Sequence, residues 1–224
     1  NVLGHIHVFY MDVFIDTIIP AIKNIENIKW VVTYSKKAEK QLIENKMKGK
    51  TCDLLYVPNK GRDVIPFLKV INKYKNKNYS HIFKLHTKMS SHRIDGENWG
   101  KSTIGSITRF SDLGNIAHEM LKQNIGLLGP KSEISDISYY LENNKSYLSF
   151  FSNLLGVDIE GSTQKILYGN MFLADFRIFK LPIFSYNFES LTPEELGQVD
   201  GTIMHSLERL FSIASVSIGL KIQG

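Results

Sequence analysis

The sequence is poor in cysteine, tryptophan and proline, with one, two and six of them among 224 residues. It also lacks an apolar run long enough to cross a bilayer. Cys52 has no partner for an internal disulfide, and its place just ahead of a predicted strand indicates a reduced, partly buried thiol in a reducing cytoplasm. Hydrophobic residues make up 43% of the chain, which allows a large core and predicts a single domain over residues 1–224.

The chain begins neither with Met nor with an apolar leader headed by Lys or Arg. We therefore expect Asn1 to be an internal position of a longer protein, or the start of a trimmed one. The net charge of +5 is modest and suits a nucleotide diphosphate, an anionic membrane face or a nucleic acid. Neither an aromatic-flanked basic RNA motif nor zinc-ligand spacing occurs, which argues against nucleic acid as a partner.

Short apolar, β-branched runs alternate with helix-like stretches through the first half of the chain. This pattern predicts an α/β fold: a Rossmann-like, mostly parallel sheet with helices on both faces. Asp12 is placed to cap the first helical stretch, in which Pro20 predicts a kink or break. The predicted strands are residues 2–10, 30–34, 53–57 and 80–87, and the predicted helices are residues 36–46 and 64–74.

The second half of the chain has a less regular pattern. Residues 89–103 turn polar, with Gly96, Trp99 and Gly100 among them, and predict a long loop. The strongest candidate for a domain boundary is the break near Pro130. The remaining predicted elements are helices at 110–123 and 134–155, a short strand at 126–128, a strand-rich stretch at 165–186, a final helix and a closing strand near 215–222.

Residues 57–63 lie where a strand should end and a helix begin, which is where open α/β sheets bind ligands. Asn59 and Gly61 tolerate positive φ, and Arg62 offers a fork of donors suited to phosphate. Asp63 is placed either to cap the next helix or to hold a ribose hydroxyl. The alternative is a plain turn followed by a helix cap.

Basic side chains alternate along the fourth predicted strand. Lys84, His86 and Lys88 should project from one face, while Phe83 and Leu85 pack on the other. Cations grouped in this way are costly to bury without a partner, so we expect an anion beside them. The alternative is a strand at the edge of the sheet whose basic side chains reach out to water.

An amphipathic helix is predicted near the end of the chain, with Asp200 at its start. His205 and Arg209 should share the face opposite the apolar one with Ser212. Asp200, beside a helix N-terminus, is expected to be ionised and able to accept a proton from a hydroxyl. The alternative is that Asp200 serves as the N-cap of a helix with a solvated His/Arg face.

Taken in order along nearly the whole chain, these motifs resemble those of the rhamnan synthesis F family. No single motif decides the resemblance, but the ordered set is specific. The matching elements are His7-x-x-Tyr10-x-Asp12, Asn59-x-Gly61-Arg62-Asp63 with Pro66-Phe67, Lys84-x-His86-Thr87-Lys88, Gly126-x-x-Gly129-Pro130, Gly169-x-Met171-Phe172, and Asp200-Gly201-Thr202 with His205, Glu208 and Arg209.

The resemblance implies a bacterial glycosyltransferase with a fold similar to glycosyltransferase-A. It would move a sugar, rhamnose in the named members, from a nucleotide sugar (dTDP-rhamnose or a UDP-sugar) to a lipid-linked or polymeric glycan acceptor. The product would be a cell-surface polysaccharide such as O-antigen, capsule or rhamnan, made in the cytoplasm with peripheral association to the inner membrane. The donor-binding residues it implies are His7, Tyr10, Asn59, Gly61, Arg62, Asp63, Lys84, His86, Lys88 and Arg209.

Many glycosyltransferase-A enzymes hold the donor diphosphate through a metal bound to Asp-x-Asp after the fourth strand. Here His86-Thr87-Lys88 stands at the equivalent place, which predicts catalysis without a cofactor, a divalent metal being the alternative. Asp200 is the predicted general base, with His205 as the second candidate, in a single displacement that inverts the anomeric centre. A retaining reaction stays open.

The chain departs from the family pattern at two places, both in the region expected to contact the acceptor. Residues 174–176 replace an expected Ala-Arg-Pro-like continuation, and Gly100 follows Trp99 where a basic residue is usual. Residues 90–93 and Trp99 are placed to close over a bound sugar nucleotide, or to form an ordinary surface loop. The alternative function is a catalytically silent carbohydrate- or nucleotide-sugar-binding module. A phosphotransferase ranks lower because the sequence has no Walker loop.

Overall fold

A computed structural model describes residues 1–87, 96–109, 112–159, 164–192 and 200–224, with the backbone alone for residues 96–100. The strands in the described residues are β1 Val2–Val8, β2 Lys29–Tyr34, β3 Cys52–Tyr56, β4 His81–His86, β5 Ile125–Leu128, β6 Ile134–Asp136, β7 Lys165–Leu167, β8 Phe172–Asp175 and β9 Lys221–Gln223. The α-helices there are α1 Met11–Val13, α2 Ile19–Ala21, α3 Lys40–Lys46, α4 Val64–Tyr74, α5 Gly96–Thr108, α6 Leu113–Gln123, α7 Lys145–Leu155 and α8 Ile203–Ser217.

Within the described residues, the main sheet has seven strands in the order β3-β2-β1-β4-β8-β5-β9. β8 runs antiparallel to both of its neighbours, and the other pairs in this sheet are parallel. β6 and β7 form a separate antiparallel pair. The predicted α/β class with a mostly parallel sheet is therefore confirmed.

The central strands are buried on both faces, as expected where helices cover both sides of a parallel sheet. Every residue of β1 and β4 is buried. On one face, Gly4 leaves room for Trp30: a Cβ at Gly4 would lie 2.5 Å from the indole ring. On the other face, His5 is in register with Lys84, and His7 with His86. The side chains with acid–base chemistry therefore share one face of the sheet.

Helices α4 and α8 cover this polar face. Phe67 of α4 lies 5.7 Å from the ring of His5 and 5.4 Å from the ring of Phe211 on α8. All residues from Ile203 to Ser215 are buried, because α8 packs against the sheet and against both α4 and α7. The predicted solvated His/Arg face of this helix is therefore wrong.

Several elements differ from the prediction because tertiary contacts decide them. Residues 134–155 form β6, two 3₁₀ turns and α7 instead of one helix, since β6 pairs with β7. Residues 96–108 form helix α5, which begins inside the loop predicted at residues 89–103 and buries Ile104 and Ile107. In the predicted strand-rich stretch, residues 178–180 and 182–185 are 3₁₀ turns.

The stretch after β1 is helical without a break at Pro20. A π-helical turn, Phe14–Ile18, joins α1 to α2, and Pro20 follows directly after this widened turn, within α2. Asp12 lies inside α1, and its carboxylate accepts from the N–H of Val13 at 2.9 Å. Within the described residues, no helix is both long and apolar enough to cross a membrane.

Candidate active site

The parallel strands end at one edge of the sheet, and three predicted segments meet there. The loop after β3 carries Arg62 and Asp63, β4 carries Lys84 and His86, and the segment before α8 carries Asp200. Because carboxyl ends of parallel strands share an edge, residues far apart in sequence become neighbours. Two groups of contacts hold these segments together.

The first group is the Asp63 clasp, formed by Asp63, Lys84 and Asn170. Lys84 Nζ donates to Asp63 Oδ2 at 2.5 Å and to the Asn170 carbonyl at 2.7 Å. The Asn170 amide donates to the same Asp63 oxygen at 2.6 Å. The Lys84 side chain is 0% exposed and that of Asp63 8%. The clasp therefore joins the β3–α4 loop, the middle of the sheet and the turn before β8.

The ammonium of Lys84 is buried, and its contact with a donor stays a prediction. The expected anion beside it is the protein's own Asp63, and the ammonium also lies 5.4 Å from the Phe67 ring and 5.7 Å from the Phe172 ring. The alternative of a strand at the edge of the sheet is wrong, because β4 lies between β1 and β8. His86 is also buried, with Nε2 3.4 Å from the Gly169 carbonyl.

Asp63 occupies the N-cap position of α4, but within the described part of the chain its carboxylate makes no capping hydrogen bond. The prediction that Asp63 caps this helix is therefore wrong: its side chain binds Lys84 and Asn170 instead. Contact of Asp63 with a ribose stays a prediction. Its place in the clasp fixes the loop that precedes it.

That loop contains consecutive left-handed residues, Gly61 at φ +71° and Arg62 at φ +55°. Glycine is required at the first of them, since a Cβ there would lie 2.1 Å from Ile65 Cγ1. An L-residue with a side chain pays about 1–2 kcal/mol for this conformation. Asn59, the other predicted position, does not adopt a positive φ. The turn directs the half-buried Arg62 toward α8.

Arg62 Nη1 lies 2.8 Å from His205 Nε2 and joins the β3–α4 loop to the first turn of α8. A guanidinium only donates, so Nε2 of His205 accepts in this contact. The other ring nitrogen, Nδ1, lies 2.8 Å from Oγ1 of Thr202, the N-cap residue of α8. His205 is thus held from both sides.

The second group is the Asp200 group, formed by Asp200, Asn144 and Arg209. Arg209 Nη2 donates to Asp200 Oδ1 at 3.0 Å, and the Asn144 amide lies 3.1 and 3.0 Å from the two carboxylate oxygens. Arg209 also donates to the His205 carbonyl at 2.5 Å, and it stacks 4.9 Å from the Tyr140 ring. The Asp200 side chain is 28% exposed, against 7% for Arg209. Arg209 and Asn144 therefore hold the Asp200 carboxylate in place while part of it reaches the surface.

Asp200 precedes the helix and does not cap it, since Thr202 holds the N-cap position. The alternative in which Asp200 is the N-cap is therefore wrong. Arg209, a predicted donor-binding residue, contacts Asp200, His205 and Tyr140, all within the protein. Its contact with a donor stays a prediction.

His7 and Tyr10 lie at the end of β1, beside the same edge. His7 Nδ1 lies 2.9 Å from Thr33 Oγ1. Burial lowers the pKa of His7 to about 4, an effect that Asp63 opposes and Lys84 reinforces, so the ring is neutral near pH 7. The main-chain N–H of Tyr10 donates to Thr87 Oγ1 at 2.9 Å, which ties this loop to the end of β4.

Sequence reasoning missed two asparagines of these groups. Asn170 stood inside the Gly169-x-Met171-Phe172 motif, and a Gly-Asn pair before an apolar strand is a signal for the left-handed turn it forms, at φ +55°. Asn144 gave no local signal, because its partner Asp200 is 56 residues away. Lys88 and residues 90–93 lie outside the described residues, as does the side chain of Trp99.

A cavity of about 570 Å³ opens on the opposite face of the sheet, against α5 and α6. Phe83, Met120 and Leu128 are among its lining residues, and Arg62, Lys84 and Asp200 are not. We place the candidate active site at the two polar groups, because they contain the acid–base chemistry. In the described ranges, no group of three or more His, Cys, Asp or Glu side chains has the geometry to hold a metal ion.

The fold and the site define an α/β protein with a polar site at the carboxyl edge of a mostly parallel sheet. Residues 1–218 match the family model of rhamnan synthesis protein F. The chain belongs to this family of polysaccharide-synthesis proteins, and the resemblance predicted from the motifs is confirmed.

The curated relatives match this chain over only a small part of their own length. The uncharacterized protein WxcX from each of two strains of Xanthomonas campestris pv. campestris is 27% identical over 165 residues, which are 73% of this chain and 24% of that protein. The chain thus spans about a quarter of the length of these relatives. Crystal structures of S. aureus TarS 1-349, alone and in complex with UDP-GlcNAc, align with TM-scores of 0.46 and 0.45 at 12% and 11% identity. These alignments cover 96% and 95% of this chain and 55% and 54% of the TarS 1-349 chains.

Proposed function

We propose that the chain is a glycosyltransferase domain that moves a sugar, rhamnose, from dTDP-rhamnose or a UDP-sugar to a growing cell-surface polysaccharide. The acceptor would be a lipid-linked or polymeric glycan of O-antigen, capsule or rhamnan. Family membership supports the polysaccharide. The observation that carries the reaction type is the 2.8 Å contact between Arg62 and His205, because it brings a phosphate-binding cation beside the segment that holds Asp200.

Arg62 is the proposed ligand of the donor diphosphate. Its planar fork of donors matches phosphate oxygens, and the Asp63 clasp holds the loop that carries it. His86 and Lys88 complete the proposed electrophilic clamp. Lys84 acts on the donor through Asp63, since its ammonium is buried.

Asp200 is the proposed general base. Among the charged side chains of the Asp200 group it is the more exposed, and an acceptor hydroxyl can approach it. His205 ranks second because it is buried and its Nε2 faces Arg62. Asp200 takes the hydroxyl proton as the acceptor oxygen bonds to the anomeric carbon. The bond from that carbon to the diphosphate breaks in the same displacement, which inverts the anomeric centre, and the nucleotide diphosphate leaves.

The proposed clamp consists of cationic side chains, so the reaction is proposed to need no metal. The test is turnover in the presence of a chelator, which should leave the rate unchanged. Loss of activity with chelator and its return with Mn²⁺ would show that a divalent metal carries the diphosphate. We propose that the reaction takes place at the cytoplasmic face of the inner membrane, where a net charge of +5 favours anionic headgroups.

The proposal as a whole is tested with a panel of nucleotide sugars. A bound donor should raise the melting temperature of the protein, and release of nucleotide diphosphate reports turnover. Asp200→Asn should lower turnover about 100-fold or more while the donor still raises the melting temperature. Asp158→Asn, at an exposed carboxylate beyond α7, is the matched control and should change neither measurement. Binding without turnover for every donor would instead indicate the catalytically silent module.

A further inference from the structure

Asn144 uses its side chain in a way that its position does not require. It is the N-cap residue of α7, and asparagine is among the best N-caps because its side-chain oxygen accepts from the first turn. In the described part of the chain, the Asn144 side chain makes no such hydrogen bond. Its amide lies beside Asp200, 56 residues further along the chain.

The contacts of Asn144 fix the orientation of its amide. The nitrogen donates to the Tyr140 carbonyl at 3.1 Å and to the Asp200 carboxylate at 3.0–3.1 Å, and both of these partners can only accept. The amide oxygen accepts from Ser206 Oγ at 3.2 Å. Asn144 is fully buried, so water does not compete for these bonds. The group is therefore a preformed donor aimed between the two oxygens of Asp200.

We propose that Asn144 is the positioning residue of Asp200: it fixes the plane of the carboxylate that takes the hydroxyl proton. The inference rests on the proposed function, in which Asp200 is the general base. A donor shared by both oxygens holds them in one plane and opposes rotation about the last bond of the side chain. Without Asn144, Arg209 would hold one oxygen alone among the described contacts.

The charged and titratable groups around Asp200 leave this role to a neutral donor. Arg209 reaches it from α8, and Tyr140 faces it from the 3₁₀ turn before α7. Burial raises the pKa of Tyr140 to about 12, so its phenol is neutral over the range in which a carboxylate titrates. Replacing Asn144 by an apolar residue removes a donor without changing the charge of the site.

The test compares Asn144→Leu with Asn143→Ala and Ser206→Ala. Asn143 is the same residue type one position earlier and is exposed, and Ser206 touches Asn144 from the side away from Asp200. Two readouts are compared: kcat and the donor KM from turnover, and the plane of the Asp200 carboxylate in crystal structures of the variants. Asn144→Leu should lower kcat about 10-fold or more with the donor KM unchanged, and the carboxylate should rotate out of its plane, because only the orientation of the base is lost. The two controls should change neither readout.

An unchanged carboxylate plane in a folded Asn144→Leu protein would overturn the inference, as would a rise in the donor KM at unchanged kcat. If Asn144→Leu does not fold, Asn144→Asp keeps the shape of the side chain and must still turn the Asp200 carboxylate away, because two carboxylates then face each other. The crystal structures need no substrate. Failure of every nucleotide sugar to react with the unchanged protein would therefore sink the proposed function and leave the Asn144 result separately readable.

Discussion

Asp63 and Lys84 form a buried ion pair between the β3–α4 loop and the middle of β4. Their side chains are 8% and 0% exposed, and the atoms Oδ2 and Nζ lie 2.5 Å apart. Both charges have left water, so each depends on the other for its place in the core. The position of Arg62, the residue just before Asp63 in the loop, therefore depends on a bond to a residue 21 positions away in sequence.

Removing one partner of the ion pair should strongly lower the free energy of unfolding. Lys84→Met leaves Asp63 charged and buried, and should lower the free energy of unfolding by about 3–5 kcal/mol in urea titrations. Adding Asp63→Asn should recover part of this loss, since it removes the uncompensated charge. Lys29→Met is the control: Lys29 pairs with Asp53 at 32% and 38% exposure, and should cost less than about 1 kcal/mol. Equal effects of Lys84→Met and Lys29→Met would contradict the prediction.

The left-handed backbone of Arg62 allows its effects on stability and on ligand binding to be separated. Arg62→Gly removes the guanidinium and also relieves the strain at φ +55°, so the stability should stay within about 1 kcal/mol of the unchanged protein. Affinity for UDP or dTDP, measured by calorimetry, should fall at least about 10-fold with the loss of a charged phosphate donor. Asn124→Gly relieves the same φ of +55° at the end of α6 and should keep full affinity. Undiminished nucleotide binding by Arg62→Gly would exclude Arg62 as the phosphate ligand.

His7 predicts a loss of stability in mild acid. Its pKa is about 4 in the folded chain and 6.5 as the reference, so the unfolded chain takes up the proton first as pH falls. The stability that depends on neutral His7 is complete above pH 6.5 and is lost between pH 6.5 and 4. Between pH 7 and pH 5 this single group should account for about 2 kcal/mol. His7→Gln should reduce the pH dependence of the unfolding free energy by that amount, and an identical dependence in both proteins would show that His7 titrates normally.

Cys52 should react slowly in the folded chain. Burial raises the pKa of its thiol to about 11, and the thiolate is the reactive form. Alkylation by iodoacetamide at pH 8 should therefore be about 100-fold slower than in urea-unfolded protein, where the same cysteine serves as its own control. Mass spectrometry over time gives both rates. Equal rates would mean that the thiol is open to solvent and normally acidic.

The regular part of the fold could be predicted because local pattern and tertiary environment agree there. Val64–Tyr74 has the predicted bounds, and β1 to β4 differ from theirs by one or two residues at an end. Residues 134–136 were predicted as helix because nothing nearby in sequence announces their partner, β7, some thirty residues later. The antiparallel course of β8 is likewise a property of the whole sheet and has no local pattern.

The candidate site shows the same division. Arg62, Asp63, His205 and Asp200 were predicted as site residues from their residue types and their places near strand and helix ends, and their roles stay predictions. What escaped prediction was the partner of each side chain. Asp63 was expected to cap a helix or to hold a ribose hydroxyl; it occupies the N-cap position, but its carboxylate binds Lys84. Asn144 makes the same choice at α7 and binds Asp200. Neither side chain makes the capping hydrogen bond available in its own helix. Each binds a distant segment instead, and local sequence does not encode distant partners.

Strand β8 has a consequence for how the polypeptide is made. It is inserted between β4 and β5, and within the described residues β5 pairs in the sheet only with β8 and β9, both of which follow it in sequence. In a nascent chain that ends at Pro130, one edge of β4 would be unpaired and β5 would have no neighbouring strand. Such unpaired edges favour pairing with other chains. We therefore do not expect the chain to divide at Pro130 into two units that fold independently. Fragments cut there should aggregate when made separately, and regain structure when expressed together.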